Sequence, residues 1–183
     1  VCPAHFVSKS GVRHWPLIGD LVSAAGTLFI ERESRRDAMR VVHHMADALR
    51  QGDVLAVFPE GTTGPGHAVL PFHANLLQAA ISTDSPVQPV ALAYLDASTR
   101  QLSQVPVYVG DTSLVESLWR TLKATGLQAR VMFGMPEHCE SRDRRTWAAH
   151  LRADIQLLLD GSMPFDETSP AHLQPAPHSE QKR

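Results

Sequence analysis

With 183 residues, 43% of them hydrophobic and 20% charged, the chain has the size and composition of one ordinary globular domain, able to bury a core without disulfides or a structural metal. Its formal net charge of -2 lacks the basic excess of a dedicated nucleic-acid binder, so no nucleic-acid partner is expected. The two cysteines, Cys2 and Cys139, lie far apart, which excludes a disulfide scaffold and fits a reducing compartment.

In chain order, residues 5–8 read as a short strand, followed by a turn at Gly11 and an apolar helix over residues 16–25 with Pro16 in its first turn. The apolar stretch over residues 17–30 is interrupted by Asp20 and is too short to span a bilayer, so any membrane association of this segment is expected to be peripheral. Because Val1 rather than Met opens the chain in the middle of a strand pattern, an N-terminal segment is expected to be missing. Residues 27–30, between Gly26 and the charged Glu31-Arg32, read as a buried strand.

Ser34 and Asp37 make a capping-box-like start, after which Ala38, Val41, Val42, Met45, Ala46 and Leu49 recur at helical spacing until Gly52. The unbroken apolar run 54–58 has the length and character of a strand covered on both faces in a largely parallel sheet. Residues 73–81 read as a helix, 87–94 as a third buried strand, 105–109 as a strand, 114–124 as a helix and 129–133 as a strand. A last helix keeps Trp147, Leu151, Ile155 and Leu158 on one stripe. Beyond Gly161 the chain turns to Pro, Ser, His and charge without periodicity, so residues 161–183 are expected to be a disordered tail. The alternation predicts one α/β domain over residues 1–160, with a mostly parallel or mixed central sheet and flanking helices.

Chemistry-bearing residues cluster where strands give way to polar or glycine-rich segments. In open α/β sheets ligands collect beyond the carboxyl ends of strands, so three such places are expected to line one site. Gly26-Thr27-Leu28-Phe29-Ile30-Glu31-Arg32 sets a guanidinium just past a strand, and Phe58-Pro59-Glu60-Gly61-Thr62-Thr63 sets a carboxylate, a glycine and two hydroxyls. Val87-Gln88-Pro89-Val90 puts a proline inside a strand pattern, where the missing ladder donor needs a local reason. Each residue also has a plainer reading. Arg32 can pair with Glu31 or Glu33, Glu60 can be a loop carboxylate, Pro89 can be architectural and Lys9 an exposed strand lysine.

Other constellations point to little. His43, His44 and Asp47 share a helix but supply too few ligands for a metal centre, and no metal is expected. The glycines of residues 61–66 lack the Gly-Lys-Ser/Thr ending of a nucleotide-binding loop, and no Gly-x-Ser-x-Gly elbow occurs. His138 and Asp143 are a histidine and an aspartate separated by four residues, at a charged strand-to-helix turn, and read as a coincidence of spacing.

Taken in order and spacing, the three segments resemble the conserved blocks of the glycerolipid acyltransferase family, closely over residues 6–94. Phe6-Val7-Ser8-Lys9, Pro16-Leu17-Ile18-Gly19 and Val69-Leu70-Pro71-Phe72 are similar to the stretches that flank those blocks. The family's first block, a histidine and an aspartate separated by four residues, is absent and is expected upstream of Val1. Thr63 stands where many relatives have arginine, which weakens the phosphate contact expected there.

The resemblance implies transfer of a fatty acyl group from acyl-CoA or acyl carrier protein, a co-substrate rather than a resident cofactor, to the free hydroxyl of lysophosphatidate. It implies that Arg32 binds the phosphate and that Gly26, Phe29, Gly61, Thr62, Thr63, Pro89 and Lys9 line the substrate site, with Glu60 in support of a general-base histidine. It also implies a membrane surface as partner, at the cytoplasmic face of a bacterial inner membrane, reached peripherally or through an anchor in the missing segment. Two alternatives stay open: acylation of lyso-ornithine lipid, and a non-catalytic module that holds a phospholipid head group.

Overall fold

The computed structural model describes residues 4–9, 27–30, 35–64, 66, 68–107 and 113–161. The helix expected over 16–25 and, of the tail expected over 161–183, all but Gly161 lie outside the described residues. The chain divides into two compact units, one including Val1–Phe58 and Asn75–Ser85, the other including Pro59–Ala74 and the segment from Pro86 through the last helix.

The first unit holds a parallel sheet of β1 (Ala4–Lys9), β2 (Leu28–Ile30) and β3 (Val54–Ala56) in the order β2-β1-β3. Val7 pairs with Leu28 and Lys9 with Ile30, while Ala4 pairs with Val54 and Phe6 with Ala56. The first strand is central, with β2 and β3 paired on either side of it. Helix α1 (Arg35–Arg50) supplies the cover. Its Val41, Met45 and Ala46 are buried together with Val7 and with Leu76 and Ala79, and Val42, Leu49, Leu55 and Val57 pack around them. The helix ends where Gly52 takes φ +89°, a left-handed turn that a glycine adopts without a Cβ clash. A 3-10 turn at Ala74–Leu76 runs into α2 (Leu77–Thr83), which buries Leu77, Ala79 and Ala80.

The second unit is built on β4 (Val90–Asp96) and β5 (Leu127–Phe133), antiparallel from Val90 opposite Phe133 to Asp96 opposite Leu127. Between them lies α3 (Leu114–Lys123), and α4 (Arg144–Leu159) follows. Ala91, Ala93 and Met132 form a core with the fully buried Leu158, flanked by Ile155 and Leu159. The fold is α/β as expected, with parallel and antiparallel pairing both present.

Two expectations of detail are corrected. The strand beside Pro89 does not end there or join the parallel sheet; it begins at Val90 and pairs antiparallel with β5. Proline has no N–H for a ladder, so Pro89 sits just outside it, and its carbonyl accepts from Gly134 N–H at 2.8 Å. Residues 105–107 form a turn rather than a strand, with Val107 N–H donating to Gln104, and residues 108–109 lie outside the described residues. Pro106 interrupts any ladder there, and the Arg120 guanidinium takes the carbonyls of Val105 and Val107 at 2.8 and 2.7 Å.

Gly134 is where the two strands of the second unit are most tightly specified. A Cβ built there would stand 2.8 Å from Pro89 Cγ and 3.4 Å from Leu158 Cδ1, and a proline ring held by flanking backbone bonds cannot rotate away. Gly134→Ala is therefore expected to destabilise the protein by about 1–3 kcal/mol, the usual cost of overpacking a filled core. Urea unfolding at equilibrium measures it, and an unchanged midpoint would mean that the ring gives way.

Candidate functional site

The third block is a long loop without regular structure that leaves the end of β3 and runs to the 3-10 turn. Such a loop keeps its shape only if its backbone polar groups find partners other than a ladder. Glu60 provides the first: its Oε2 accepts the Leu70 N–H at 2.7 Å, tying together positions ten residues apart. Pro59 C=O accepts from His73 N–H at 2.8 Å and closes the base. The far limb is fastened to α4, where Gln156 Oε1 accepts Val69 N–H at 2.9 Å and Arg152 Nε donates to Val69 C=O at 2.8 Å. The Val69 side chain is buried under that double contact.

These ties leave the near limb displayed. Gly61 takes φ +68°, which turns the chain sharply after Glu60, and Gly61, Thr62 and Thr63 are exposed to solvent. Two hydroxyls and the backbone N–H groups around a glycine make a neutral hydrogen-bonding surface that suits phosphate or hydroxyl oxygens. A bulky residue at 61 would meet both the left-handed backbone and the approach of a ligand. Glu60 is thus found organising the loop, one of the two roles its type allowed.

The other sequence-derived residues fall as follows. Gly26 and Arg32 lie outside the described residues. Lys9 and Phe29 are described by backbone alone, with Lys9 opposite Ile30 at the carboxyl ends of β1 and β2. Pro89 is buried against Gly134, an architectural position. Phe58, 62% exposed, stacks on Phe6 with ring centroids 6.3 Å apart and planes 13° from parallel.

Histidine–aspartate pairs can be checked one by one. Asp143 is the N-cap of α4, where its carboxylate accepts the N–H groups of Arg145 and Thr146 and the Thr146 hydroxyl. His5 Nε2 lies 4.0 Å from Asp53 Oδ1, at the amino ends of β1 and β3, opposite to the carboxyl ends where ligands gather. His43 and His44 are exposed on α1, and Asp47 there pairs with Arg50 at 2.8 Å.

A polar cluster that periodicity did not reveal surrounds Glu137. Its Oε1 accepts from the indole N–H of the fully buried Trp147 at 2.6 Å, and Arg142 Nη1 and His150 Nδ1 each lie 3.3 Å away. His150 also stands 3.4 Å from Asp154, and the donor atoms of Glu137, His150 and Asp154 lie within 4.8 Å of one another. A cation there would compete with the Arg142 guanidinium for the same carboxylate, so the arrangement fits a polar network that docks the turn after β5 onto α4. Only the indole requirement of a buried Trp147 could have signalled it in the sequence.

Residues 1–93 match the family described as Acyltransferase, a span that includes the parallel sheet and the whole Glu60 loop. The chain belongs to the acyltransferase family. It is 37% identical over 145 residues to the 1-acyl-sn-glycerol-3-phosphate acyltransferase of Neisseria meningitidis, which covers 79% of this chain and 56% of that protein. It is 35% identical over 162 residues to the lyso-ornithine lipid O-acyltransferase of Pseudomonas aeruginosa, covering 88% of this chain and 62% of that one. The chain thus spans a little over half the length of these relatives. The solved 1-acyl-sn-glycerophosphate (LPA) acyltransferase of Thermotoga maritima shares its fold at a TM-score of 0.56, with 15% identity, over 88% of this chain and 57% of that one.

Two outcomes are expected from these contacts. Glu60→Ala should raise local opening of the loop about tenfold, read as faster amide exchange at Leu70, because a hydrogen bond to a charged acceptor contributes about 1.5–3 kcal/mol before solvent screening. Glu60→Gln, which keeps an acceptor oxygen, should restore most of the protection; equal exchange in both would remove Glu60 from the loop's support.

The second outcome concerns acid. Asp143 has its carboxyl pKa lowered from 3.8 by the Thr146 hydroxyl first and by the Arg145 and Thr146 N–H groups next. Its capping contribution is therefore fully present above pH 3.8 and is lost only as pH falls through the lower folded value. A carboxyl 13C titration should place its midpoint below 3.8, and a midpoint at or above it would contradict the cap.

Proposed function

We propose that this chain is the greater part of an O-acyltransferase that moves a fatty acyl group from a thioester, acyl-CoA or acyl carrier protein, to the free hydroxyl of lysophosphatidate. The observation that carries this is the family match over residues 1–93 enclosing a loop whose exposed Gly61, Thr62 and Thr63 are held in shape by Glu60. The two relatives with these acceptors in their names support the substrate class.

An alcohol is a poor nucleophile at neutral pH, so a neutral imidazole has to take its proton as it attacks the thioester carbonyl. Among the described residues, Asp143 is committed to its cap and the His5–Asp53 pair stands at the wrong end of the sheet. We assign the base to a histidine of the full-length protein outside these 183 residues, positioned by an aspartate separated from it by four residues. Arg32 supplies a guanidinium whose planar fork suits a phosphate monoester. Thr62, Thr63 and the backbone at Gly61 donate hydrogen bonds to acceptor oxygens, and Gly26, Phe29 and Lys9 belong to the same substrate contacts. The enzyme would act at the cytoplasmic face of a bacterial inner membrane.

Thr63 and the identity to lyso-ornithine lipid O-acyltransferases favour a second acceptor, lyso-ornithine lipid, which carries no phosphate monoester. One experiment separates the two. In the full-length protein, Arg32→Ala should cut kcat/KM for lysophosphatidate by roughly ten- to a hundredfold while leaving donor saturation unchanged, since a lost charge-assisted contact costs about 1.5–3 kcal/mol. An equal rate on lyso-ornithine lipid in wild type and variant, with no turnover of lysophosphatidate by either, would select the second acceptor. The 183-residue chain alone should fall short of the full-length protein by about a hundred- to ten-thousandfold, the usual contribution of a general base. Robust transfer by the chain that is abolished by His138→Ala would move the active site to that histidine.

A further inference from the structure

Helix α3 is turned the wrong way for a soluble protein. Among its described side chains the inner side is polar: Ser117 is 5% exposed, Thr121 is half-buried with its hydroxyl bonded to Ser117 C=O at 2.8 Å, and the exposed Arg120 reaches the carbonyls of Val105 and Val107. Its outer side is apolar. Val115, Leu118, Trp119 and Leu122, at the i, i+3, i+4, i+7 spacing of one stripe, are 77%, 46%, 60% and 70% exposed. The Arg120 bonds and the Ser113 cap, which accepts Glu116 N–H at 3.1 Å, fix this rotation of the helix.

Water penalises four large apolar side chains held outward in one row, so the row has an occupant. The stripe is a convex ridge on a ten-residue helix, about 15 Å long at 1.5 Å per residue. A ridge of that size buries a few hundred Å² at most, against about 800 Å² per partner in a stable protein interface, which disfavours a second copy. A lipid surface accepts a ridge of any length. Two further features fit it. Trp119 joins an apolar body to an indole N–H, the side chain that prefers the boundary between acyl chains and head groups. Lys123, with Nζ 4.7 Å from the centre of that ring, puts a cation beside the stripe. That cation suits anionic head groups.

We propose that α3 is an interfacial docking helix, which inserts Val115, Leu118, Trp119 and Leu122 into the outer boundary of an anionic bilayer while Lys123 stays at head-group level. The choice of a lipid over a protein surface rests in part on the acyltransferase reading, whose acceptor resides in a membrane. Docking by a single short ridge is weak and reversible, so it would add to any other attachment of the full-length protein.

The test is co-sedimentation of the 183-residue chain with vesicles of phosphatidylethanolamine and phosphatidylglycerol, and with vesicles of phosphatidylcholine alone. The expected result is stronger partition to the anionic vesicles. The double substitution Leu118→Glu/Leu122→Glu should reduce it about a hundredfold, and Lys123→Glu by several-fold on the anionic vesicles only. Both sites are exposed, so unchanged thermal unfolding confirms that the variants are folded. Quenching of tryptophan emission by lipids brominated along the acyl chain should vanish in Trp119→Phe. Partition unchanged by the double substitution, quenching retained in Trp119→Phe, or a dimer in solution that the double substitution dissociates would each overturn the proposal. Partition needs no turnover, so its failure is separate from failure of the acyl-transfer assays.

Discussion

The arrangement of the candidate site depends on a carboxylate that, together with the backbone bond from His73 to Pro59, supports a loop from within. A segment that runs from β3 to the next helical turn without ladder or helix bonds has to satisfy its amides individually, and Glu60 meets the amide of Leu70 across ten positions. Gln156 and Arg152 then secure Val69 from α4. A neutral hydroxyl could accept the same bond, but an ionised acceptor holds it about twice as strongly. With the far limb anchored, the sharp left-handed turn at Gly61 is held open, and the two threonines remain outside rather than collapsing onto the loop. The residue that looks most like a catalyst in the sequence therefore shapes the surface on which chemistry would occur.

The second unit shows the same economy in its architecture. Pro89 has no N–H to give, so it stands at the entrance to β4, and its carbonyl and ring are received by Gly134, where no side chain intervenes. Gln88 adds a bond from its amide to Gly134 C=O at 3.0 Å. The pair sets where β4 and β5 begin to match, and α4 closes on the result through Leu158 and through Trp147, whose indole is satisfied by Glu137. A buried indole without that acceptor would carry the cost of an unmade hydrogen bond.

How much of this was legible follows from what each element needs. The buried stripe of α1 repeats at helical spacing and the strands β2 and β3 are apolar runs, so local pattern was enough for them. The run around Val105 carries the same apolar signal, yet Pro106 and the distant Arg120 convert it into a turn, and neither sequence periodicity nor composition records that contact. The block residues were visible through their order along the chain, but the partner of Glu60 was not, because a side chain bonded to an amide ten residues away leaves no periodic trace. Asp143 illustrates the converse. Its spacing from His138 reads as coincidence, and the helix that begins immediately after it is the physical signal that accounts for the carboxylate.

Helices α1 and α3 make the remaining limit concrete. Both are amphipathic, and pattern alone assigns each an apolar face that should turn inward. In α1 it does, because Val41, Met45 and Ala46 meet Val7, Leu76 and Ala79. In α3 the inward position is taken by polar groups, since the two carbonyls left without a strand at Val105 and Val107 need donors and Arg120 is the side chain that reaches them. Giving these carbonyls a charged donor and hiding the apolar row are competing needs, and in this helix the first sets the rotation. Hydrophobic periodicity fixes that a helix has two faces; the hydrogen-bonding needs of its neighbours fix which face the protein keeps.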